Sequence, residues 1–231
     1  MYMQKPYIYE SSKNKDLFGE EGIIMLPDIY CQTEYSKKTV EDFANSFKKP
    51  VFMLDYFFLG TNEANNFSSE EKEKAHSLMQ NFDPNAFVLF FKNILGEIKE
   101  SYPQIKKFIV IGFCFGGRLA YIAGGEKGVS KIFSFYGAGP FTPNYINNET
   151  PVDYLISKRA NSDLSVHSFF GTKDSSIPES DRQQIKEKLS LADIYYEGHE
   201  YDAGHAYFQE GRSNYDEQAS RDSWEILRQA L

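Results

Sequence analysis

Apolar runs of strand length alternate along the chain with segments of helical spacing. The runs are rich in Ile, Val, Phe and Tyr and lie near 22–27, 50–54, 107–112, 131–136, 165–170 and 193–196. Amphipathic patterns predict helices over about 34–48, 70–81, 84–102, 116–125, 178–191 and 213–230. Strands that alternate with helices predict an α/β fold with a mostly parallel sheet of about seven strands and helices on both faces.

The clearest helix has recognisable start and stop signals. Asp83 is a predicted N-cap, Pro84 fits the first helical position, and aromatic and aliphatic residues follow at helical spacing. Pro103 requires that the helix end before it. Pro178 is likewise a predicted first-turn residue of its own helix.

Composition narrows the class of protein. With 231 residues, of which 41% are hydrophobic, the chain can bury the core of one domain spanning 1–231. The net charge of -8 gives no basic surface for nucleic acid or an anionic membrane, and no apolar run has the length of a membrane span. We therefore expect a cytoplasmic protein that acts on small molecules, as a monomer or weak homodimer.

The segment 137–161 breaks the alternation, since it carries Pro140, Pro143 and Pro151 together with several asparagines. We interpret it as a long surface excursion with a short helix near 152–159. Its aromatic residues suggest a lid over a pocket, and a peripheral loop is the alternative. The aromatic residues in question are Phe141, Tyr145 and Tyr154.

The stretch Gly112-Phe113-Cys114-Phe115-Gly116-Gly117 directly follows an apolar run. A strand, a glycine-flanked turn and a helix start around one residue are typical of a nucleophile elbow, which exposes a side chain at the carboxyl end of a sheet. The central residue here is Cys114, so the predicted nucleophile is a thiol. Cys31 is the other of the 2 cysteines in the chain. Two cysteines are too few for a disulfide framework or a zinc site.

A cysteine nucleophile needs a nearby base, and the chain offers 4 histidines. His167 lies inside an apolar strand pattern and His76 on a charged helix, where core packing and solvation explain them. His199 is flanked by glycine and glutamate, which suggests an exposed loop position. His205 lies in a loop after the last predicted strand and before the last helix, which makes it the preferred base.

The carboxylate that orients the base is expected at Asp174, just after the run 165–170. A turn or cap aspartate is the alternative interpretation. The chain order of nucleophile, acid and histidine is that of α/β hydrolases and favours the catalytic interpretation. The N–H groups of Phe115 and Ile29 are candidates for an oxyanion hole, because one follows the nucleophile and the other lies in a loop after an earlier strand.

With these motifs in place, the chain resembles the dienelactone hydrolase family, a cysteine-centred branch of the α/β hydrolases. The resemblance runs from about Gly22 to the final helix and is carried by the elbow, by Gly171–Pro178 and by Ala203–Phe208. It implies a single α/β-hydrolase domain. It also implies that Cys114 is the nucleophile, His205 the general base and acid, and Asp174 the orienting carboxylate.

The resemblance also marks departures. The family has a thiol-activating glutamate where this chain has the shorter Asp28, whose alternative role is to order its loop. Two arginines bind the substrate carboxylate in the family, and Lys72 and Gln209 stand at those positions here. A solvated helix face is the alternative for Lys72. Tyr136 and Phe208 are further candidates for substrate contact.

We therefore expect a hydrolase of small carboxylic esters or lactones that works through a thioester on Cys114, with no metal or organic cofactor. Three alternatives remain at this point. The same triad could serve a thioesterase or an aryl esterase. The departures at Asp28 and Gln209 could mark a ligand-binding protein without catalysis, and an exposed thiol at Cys114 could serve as a redox sensor.

Overall fold

A computed structural model describes residues 8–17, 19–58, 61–62, 68–160 and 162–231 of the chain. In this part of the chain the elements follow one another as β1 (Ile8–Glu10), β2 (Glu21–Leu26), β3 (Gln32–Thr33), α1 (Glu34–Phe47), β4 (Val51–Leu54), β5 (Thr61–Asn62), α2 (Ser69–Gln80), α3 (Pro84–Ser101), β6 (Lys107–Phe113), α4 (Phe115–Gly124), β7 (Val129–Phe135), α5 (Pro151–Arg159), β8 (Ser165–Gly171), α6 (Glu179–Leu191), β9 (Tyr195–Tyr201) and α7 (Glu217–Ala230).

Seven strands form the main sheet, in the order β1-β4-β2-β6-β7-β8-β9. Among the described residues of this sheet, β1 runs antiparallel to its neighbour β4, and the other strand pairings are parallel. The central strands are buried along nearly their whole length, which is why they are continuous apolar runs in the sequence. The predicted mostly parallel α/β sheet is confirmed.

Helices cover both faces of this sheet, as predicted. On one face α1 and α7 pack together, with the ring centroids of Phe43 and Trp224 5.1 Å apart and Phe113 of β6 stacked on Phe43. On the opposite face Lys99 of α3 lies over Phe108 of β6, and α4 packs against β6, β7 and α3. The core therefore consists of two apolar layers separated by the sheet.

The predicted signals of α3 are confirmed in detail. The Asp83 carboxylate accepts hydrogen bonds from the N–H groups of Asn85 and Ala86, and Pro84 occupies the first helical position. The helix ends at Ser101, before Pro103. In α6 the proline signal is displaced by one residue, because Pro178 is the N-cap and the helix begins at Glu179.

Strand β9 differs most from its prediction. It runs from Tyr195 to Tyr201, although the apolar run near 193–196 predicts a strand that ends earlier. Because β9 is an edge strand, its positions stay partly or fully exposed, and 3 of its 7 residues are polar, namely Glu197, His199 and Glu200. The predicted exposed loop position of His199 is wrong, since His199 lies within β9 and its side chain is only 14% exposed.

The excursion after β7 is tied to the body of the domain. Turns over 137–150 lead into α5, and Arg159 donates hydrogen bonds to the carbonyls of Gly124, Glu126 and Val129. Tyr154 is 2% exposed and donates to Glu126. This residue packs in the core and does not belong to a lid. The end of the predicted excursion, residue 161, lies outside the described residues.

None of the described helices combines the length and the apolar character that crossing a bilayer requires.

Candidate active site

The elbow between β6 and α4 holds Cys114 in a conformation that residues with a side chain rarely adopt. Its φ is 54° and its ψ is -115°. The glycines around it allow close backbone approach: a Cβ on Gly112 would meet the carbonyl of Gly116, and one on Gly116 would meet the carbonyls of Leu26 and Pro27. The sharp turn therefore exists because these positions lack side chains, and it leaves Cys114 half-buried.

Three loops at the carboxyl ends of β6, β8 and β9 bring the predicted triad residues together. Nε2 of His205 lies 3.1 Å from Sγ of Cys114, and Nδ1 of His205 lies 2.6 Å from Oδ2 of Asp174. The other Asp174 oxygen accepts a hydrogen bond from the N–H of Ser176 at 2.9 Å. Asp174 is thereby fixed on both oxygens and aimed at the imidazole.

Electrostatics in this cluster favour a charged histidine and a charged aspartate. Burial alone would lower the pKa of His205, but its hydrogen bonds to Asp174 and Cys114 outweigh that effect and raise the pKa to about 10. Burial would raise the pKa of Asp174, yet the hydrogen bonds from His205 and Ser176 lower it overall. At neutral pH the imidazolium can donate an N–H to the sulfur and to the carboxylate at once.

The loop after β2 lies directly behind the elbow. Its position is fixed by the close packing of Gly116 on the carbonyls of Leu26 and Pro27, and by Tyr56, whose hydroxyl lies 2.6 Å from the Pro27 oxygen. Ile29 in this loop is 7% exposed, and Phe115 begins α4, where first-turn N–H groups have no carbonyl partner within the helix. The assignment of the Ile29 and Phe115 N–H groups to an oxyanion hole stays a prediction.

Asp28, predicted as a thiol-activating acid, faces a different partner. One oxygen accepts from the N–H of Tyr30 at 2.9 Å and the other from Nη2 of Arg212 at 2.6 Å. Burial raises the pKa of Asp28, and the guanidinium of Arg212 opposes that rise. Asp28 therefore forms an ion pair beside the triad, and its carboxylate orders the loop through the N–H of Tyr30.

Sequence reasoning missed Arg212. It reaches Asp28 because residues 209–212 form a turn in which the N–H of Arg212 bonds to the carbonyl of Gln209. The side chain of Gln209 also accepts from Nε of Arg212 at 3.0 Å. The available signal was an arginine only three residues after the position where the family resemblance expects one. A cation therefore does lie beside the triad, on a different residue.

The three residues predicted to contact substrate lie in different environments. Tyr136 is fully buried with its ring centroid 5.2 Å from that of His205, and within the described residues its hydroxyl has no hydrogen-bond partner. Phe208 is 3% exposed and packs against Phe113, Phe135 and Trp224 in the core. Lys72 lies on the exposed side of α2. Within the described residues, Tyr136 is the one of the three whose ring contacts that of His205.

Several known proteins resemble this chain in sequence. A sequence model described as "Dienelactone hydrolase family" matches residues 7–231. A Synechocystis protein named "Putative carboxymethylenebutenolidase" is 32% identical over 135 residues, which cover 56% of this chain and 52% of that protein. A Saccharolobus solfataricus protein of the same name is 28% identical over 128 residues, 55% of this chain and 44% of its own. The chain thus matches about half the length of these curated relatives.

Solved structures show the same fold. A Klebsiella pneumoniae structure named "Putative Dienelactone Hydrolase" has a TM-score of 0.77 at 18% identity and covers 95% of this chain and 90% of its own. Thermogutta terrifontis esterase 2, solved after phosphorylation by paraoxon, has a TM-score of 0.67 at 16% identity, with 97% and 86% coverage. At such low identity these structures show a shared fold.

Proposed function

This chain belongs to the dienelactone hydrolase family, and from that premise and the contacts of Cys114 we propose that it hydrolyses small carboxylic esters or lactones through a thioester intermediate. The observation that carries the proposal is the continuous chain of contacts from the Cys114 sulfur through His205 to Asp174. Nucleophile, base and orienting group at hydrogen-bond distance are the arrangement that covalent acyl transfer requires.

In the first half-reaction, Nε2 of His205 accepts the proton of the Cys114 thiol, and Sγ attacks the carbonyl carbon of the ester, whose oxygen becomes an oxyanion. We propose that the N–H groups of Phe115 and Ile29 bind that oxyanion. The carbon–oxygen bond to the leaving alcohol then breaks, and Nε2–H of His205 donates its proton to the departing oxygen. The acyl group remains on the sulfur as a thioester.

In the second half-reaction, Nε2 of His205, now neutral, accepts a proton from a water molecule that attacks the thioester carbon. The carbon–sulfur bond breaks, the acid product leaves and the thiol–imidazole pair is restored. Asp174 holds Nδ1–H throughout, so that Nε2 is always the nitrogen that faces the sulfur. A lactone follows the same steps, with its alcohol kept on the same molecule.

Two groups near the triad are proposed to select the substrate. The Tyr136 hydroxyl is buried without a partner among the described residues, so a substrate oxygen could satisfy it. Arg212 supplies a positive charge beside the triad, although Asp28 already shares it. We therefore propose uncharged esters or lactones as better substrates than those that need a free arginine for a carboxylate.

Turnover of a panel of short esters, thioesters and lactones tests the proposal when it is followed by intact-mass analysis of the protein. We expect an acyl adduct and turnover with the native chain, and neither with Cys114→Ala. Cys31→Ala is the matched control, since Cys31 is fully buried and burial raises the pKa of its thiol well above the usual value. Equal rates for the native chain and Cys114→Ala on every substrate would reject the proposal.

A further inference from the structure

A second group of ligand-type side chains lies on the face of β8 and β9, away from the strand ends that carry the triad. His167 on β8 pairs in register with Glu197 on β9, and the next pair on the same face joins Phe169 to His199. Since residues i and i+2 of a strand point to the same side, His167, Glu197 and His199 share one face. We call these three residues the β8–β9 cluster.

Distances within the β8–β9 cluster suit a single metal ion. Oε2 of Glu197 lies 3.6 Å from Nδ1 of His167 and 3.7 Å from Nε2 of His199. One ligand atom from each of the three side chains lies within 4.8 Å of the other two. For comparison, ligands of a tetrahedral zinc ion with bonds of about 2.1 Å are separated by roughly 3.4 Å. The two distances to the Glu197 oxygen come within about 0.3 Å of that separation.

Both histidines present nitrogens that the fold leaves unsatisfied. Nδ1 of His167 and Nε2 of His199 are buried, and within the described residues neither has a hydrogen-bond partner. The His167 side chain is only 8% exposed, so solvent does not readily replace the missing partner. A buried polar atom without a partner is costly and rare in folded proteins, and a metal bond would remove that cost.

The surroundings of the cluster hold the ligands in place and in the right charge state. The ring of His167 stacks on Phe133 with centroids 4.8 Å apart, and the Tyr195 hydroxyl donates a hydrogen bond to Glu197. Burial lowers the pKa of His167 to about 4 and also lowers the pKa of His199, so both imidazoles are neutral at physiological pH. Lys131 on β7 places a positive charge near His167, which also lowers the pKa of that histidine. The Glu197 carboxylate acts in the opposite direction.

We propose that His167, Glu197 and His199 bind a divalent transition-metal ion, with zinc as the best fit. Two imidazole nitrogens and one carboxylate oxygen form a ligand set that zinc commonly takes, and further positions would be filled by water. The ion would tie the edge strand β9 to β8. These two strands lead to Asp174 and His205, so the ion would stabilise the base of the loops that carry them.

Zinc titration by calorimetry on metal-free protein without an affinity tag tests this proposal. Every protein carries Cys114→Ala, so that the thiol of the triad cannot serve as a zinc ligand. We expect one equivalent of zinc to bind, and Glu197→Gln or His199→Gln to weaken binding by about 100-fold, with Tyr195→Phe weakening it by about tenfold. His76→Gln, an exposed histidine on α2, is the matched control and should bind like its parent.

Thermal melting provides a second readout. Zinc should raise the melting temperature of the parent and of His76→Gln, and should leave that of Glu197→Gln unchanged. Glu197 is 43% exposed, so its replacement by glutamine is compatible with folding, and circular dichroism of the metal-free variant checks this. The proposal is overturned if the parent binds no zinc, or if Glu197→Gln and His199→Gln bind it as tightly as His76→Gln does.

Discussion

Two histidine–carboxylate groups in this protein differ in whether the histidine is protonated at neutral pH. In the triad, Nδ1 of His205 lies 2.6 Å from Asp174, and hydrogen bonds raise the pKa of His205 to about 10. In the β8–β9 cluster, Nδ1 of His167 lies 3.6 Å from Glu197, and burial lowers the pKa of His167 to about 4. The pKa of a buried histidine therefore depends on whether a carboxylate lies within hydrogen-bond distance: with one the pKa is raised, and without one burial lowers it.

The position in the sheet explains this difference. Cys114, Asp174 and His205 follow the ends of three different strands, so the register of paired strands does not set the spacing of their side chains. The β8–β9 cluster stands on paired strands, where the register fixes the spacing of the side chains. In this protein the loops bring side chains within hydrogen-bond distance, whereas the paired strands hold them at a fixed, wider spacing.

Exchanging the carboxylate in each group should separate their roles most strongly. Asp174→Asn is expected to lower kcat/KM on a responsive ester by about 10⁴-fold, because the amide no longer holds Nδ1–H of His205. Glu197→Gln makes the same chemical change in the β8–β9 cluster and should leave kcat/KM unchanged when both proteins are assayed free of metal. Steady-state kinetics of both variants measures this, and similar losses in both would show that the two groups do not have separate roles.

The two groups also predict how stability depends on pH. A histidine in the unfolded chain releases its proton near pH 6.5, whereas folded His205 keeps it up to about pH 10. The stabilisation from His205 is therefore complete below pH 6.5 and is lost as the pH rises through 10.

Urea unfolding of the native chain and of His205→Gln at a series of pH values measures this effect. The variant should be less stable by about 2 kcal/mol at pH 6, the size of a hydrogen bond to a charged group. The difference should shrink as the pH approaches 10. A difference that stays constant from pH 6 to pH 10 would contradict the raised pKa.

Removal of the sulfur sharpens the comparison at the level of a single proton. In Cys114→Ala we expect the pKa of His205 to fall, because the hydrogen bond and the electrostatic interaction with the sulfur both raise that pKa in the native chain. The pKa of His167 should not change. Histidine ring signals followed by NMR across the pH range report both values, and an unchanged His205 would show that Asp174 alone holds the proton.

The smallest expected effect concerns Lys131. Its positive charge contributes to the low pKa of His167, although burial is the larger cause. Lys131→Gln should therefore raise the pKa of His167 slightly and leave that of His205 unchanged, again measured by NMR. A fall in the pKa of His167 would mean that the lysine acts through packing at the end of α7, where its Nζ donates to the carbonyl of Ala230.

Much of the fold could be predicted because it rests on local signals. The central strands are buried on both faces and so appear as uninterrupted apolar runs, and α3 carries its own cap and proline signals. Strand β9 could not be bounded in this way, since the edge of a sheet tolerates residues such as Glu197 and Glu200. Strand β1, only 3 residues long, has too few residues to show a pattern.

The same distinction between local and long-range signals applies to the candidate site. Cys114, Asp174 and His205 could be proposed because each follows an apolar run and the three occur in a known order. Arg212 and Asp28 are 184 residues apart, and nothing local in the sequence indicates that they form an ion pair. The core position of Phe208 also depends on β6, β7 and α7 meeting around it.

By itself the sequence determined the order of strands and helices, the thiol at the elbow and the residues able to accompany it, because apolar periodicity, glycine and proline act within a few positions of the chain. Only the tertiary structure decided which partner each polar group meets. Asp28 pairs with Arg212, and His167 faces Glu197 and His199, because strand order and register bring distant segments to fixed distances. The sequence does not distinguish a hydrogen bond at 2.6 Å from a separation of 3.6 Å. Yet the first favours a charged histidine, His205, and the second leaves His167 neutral.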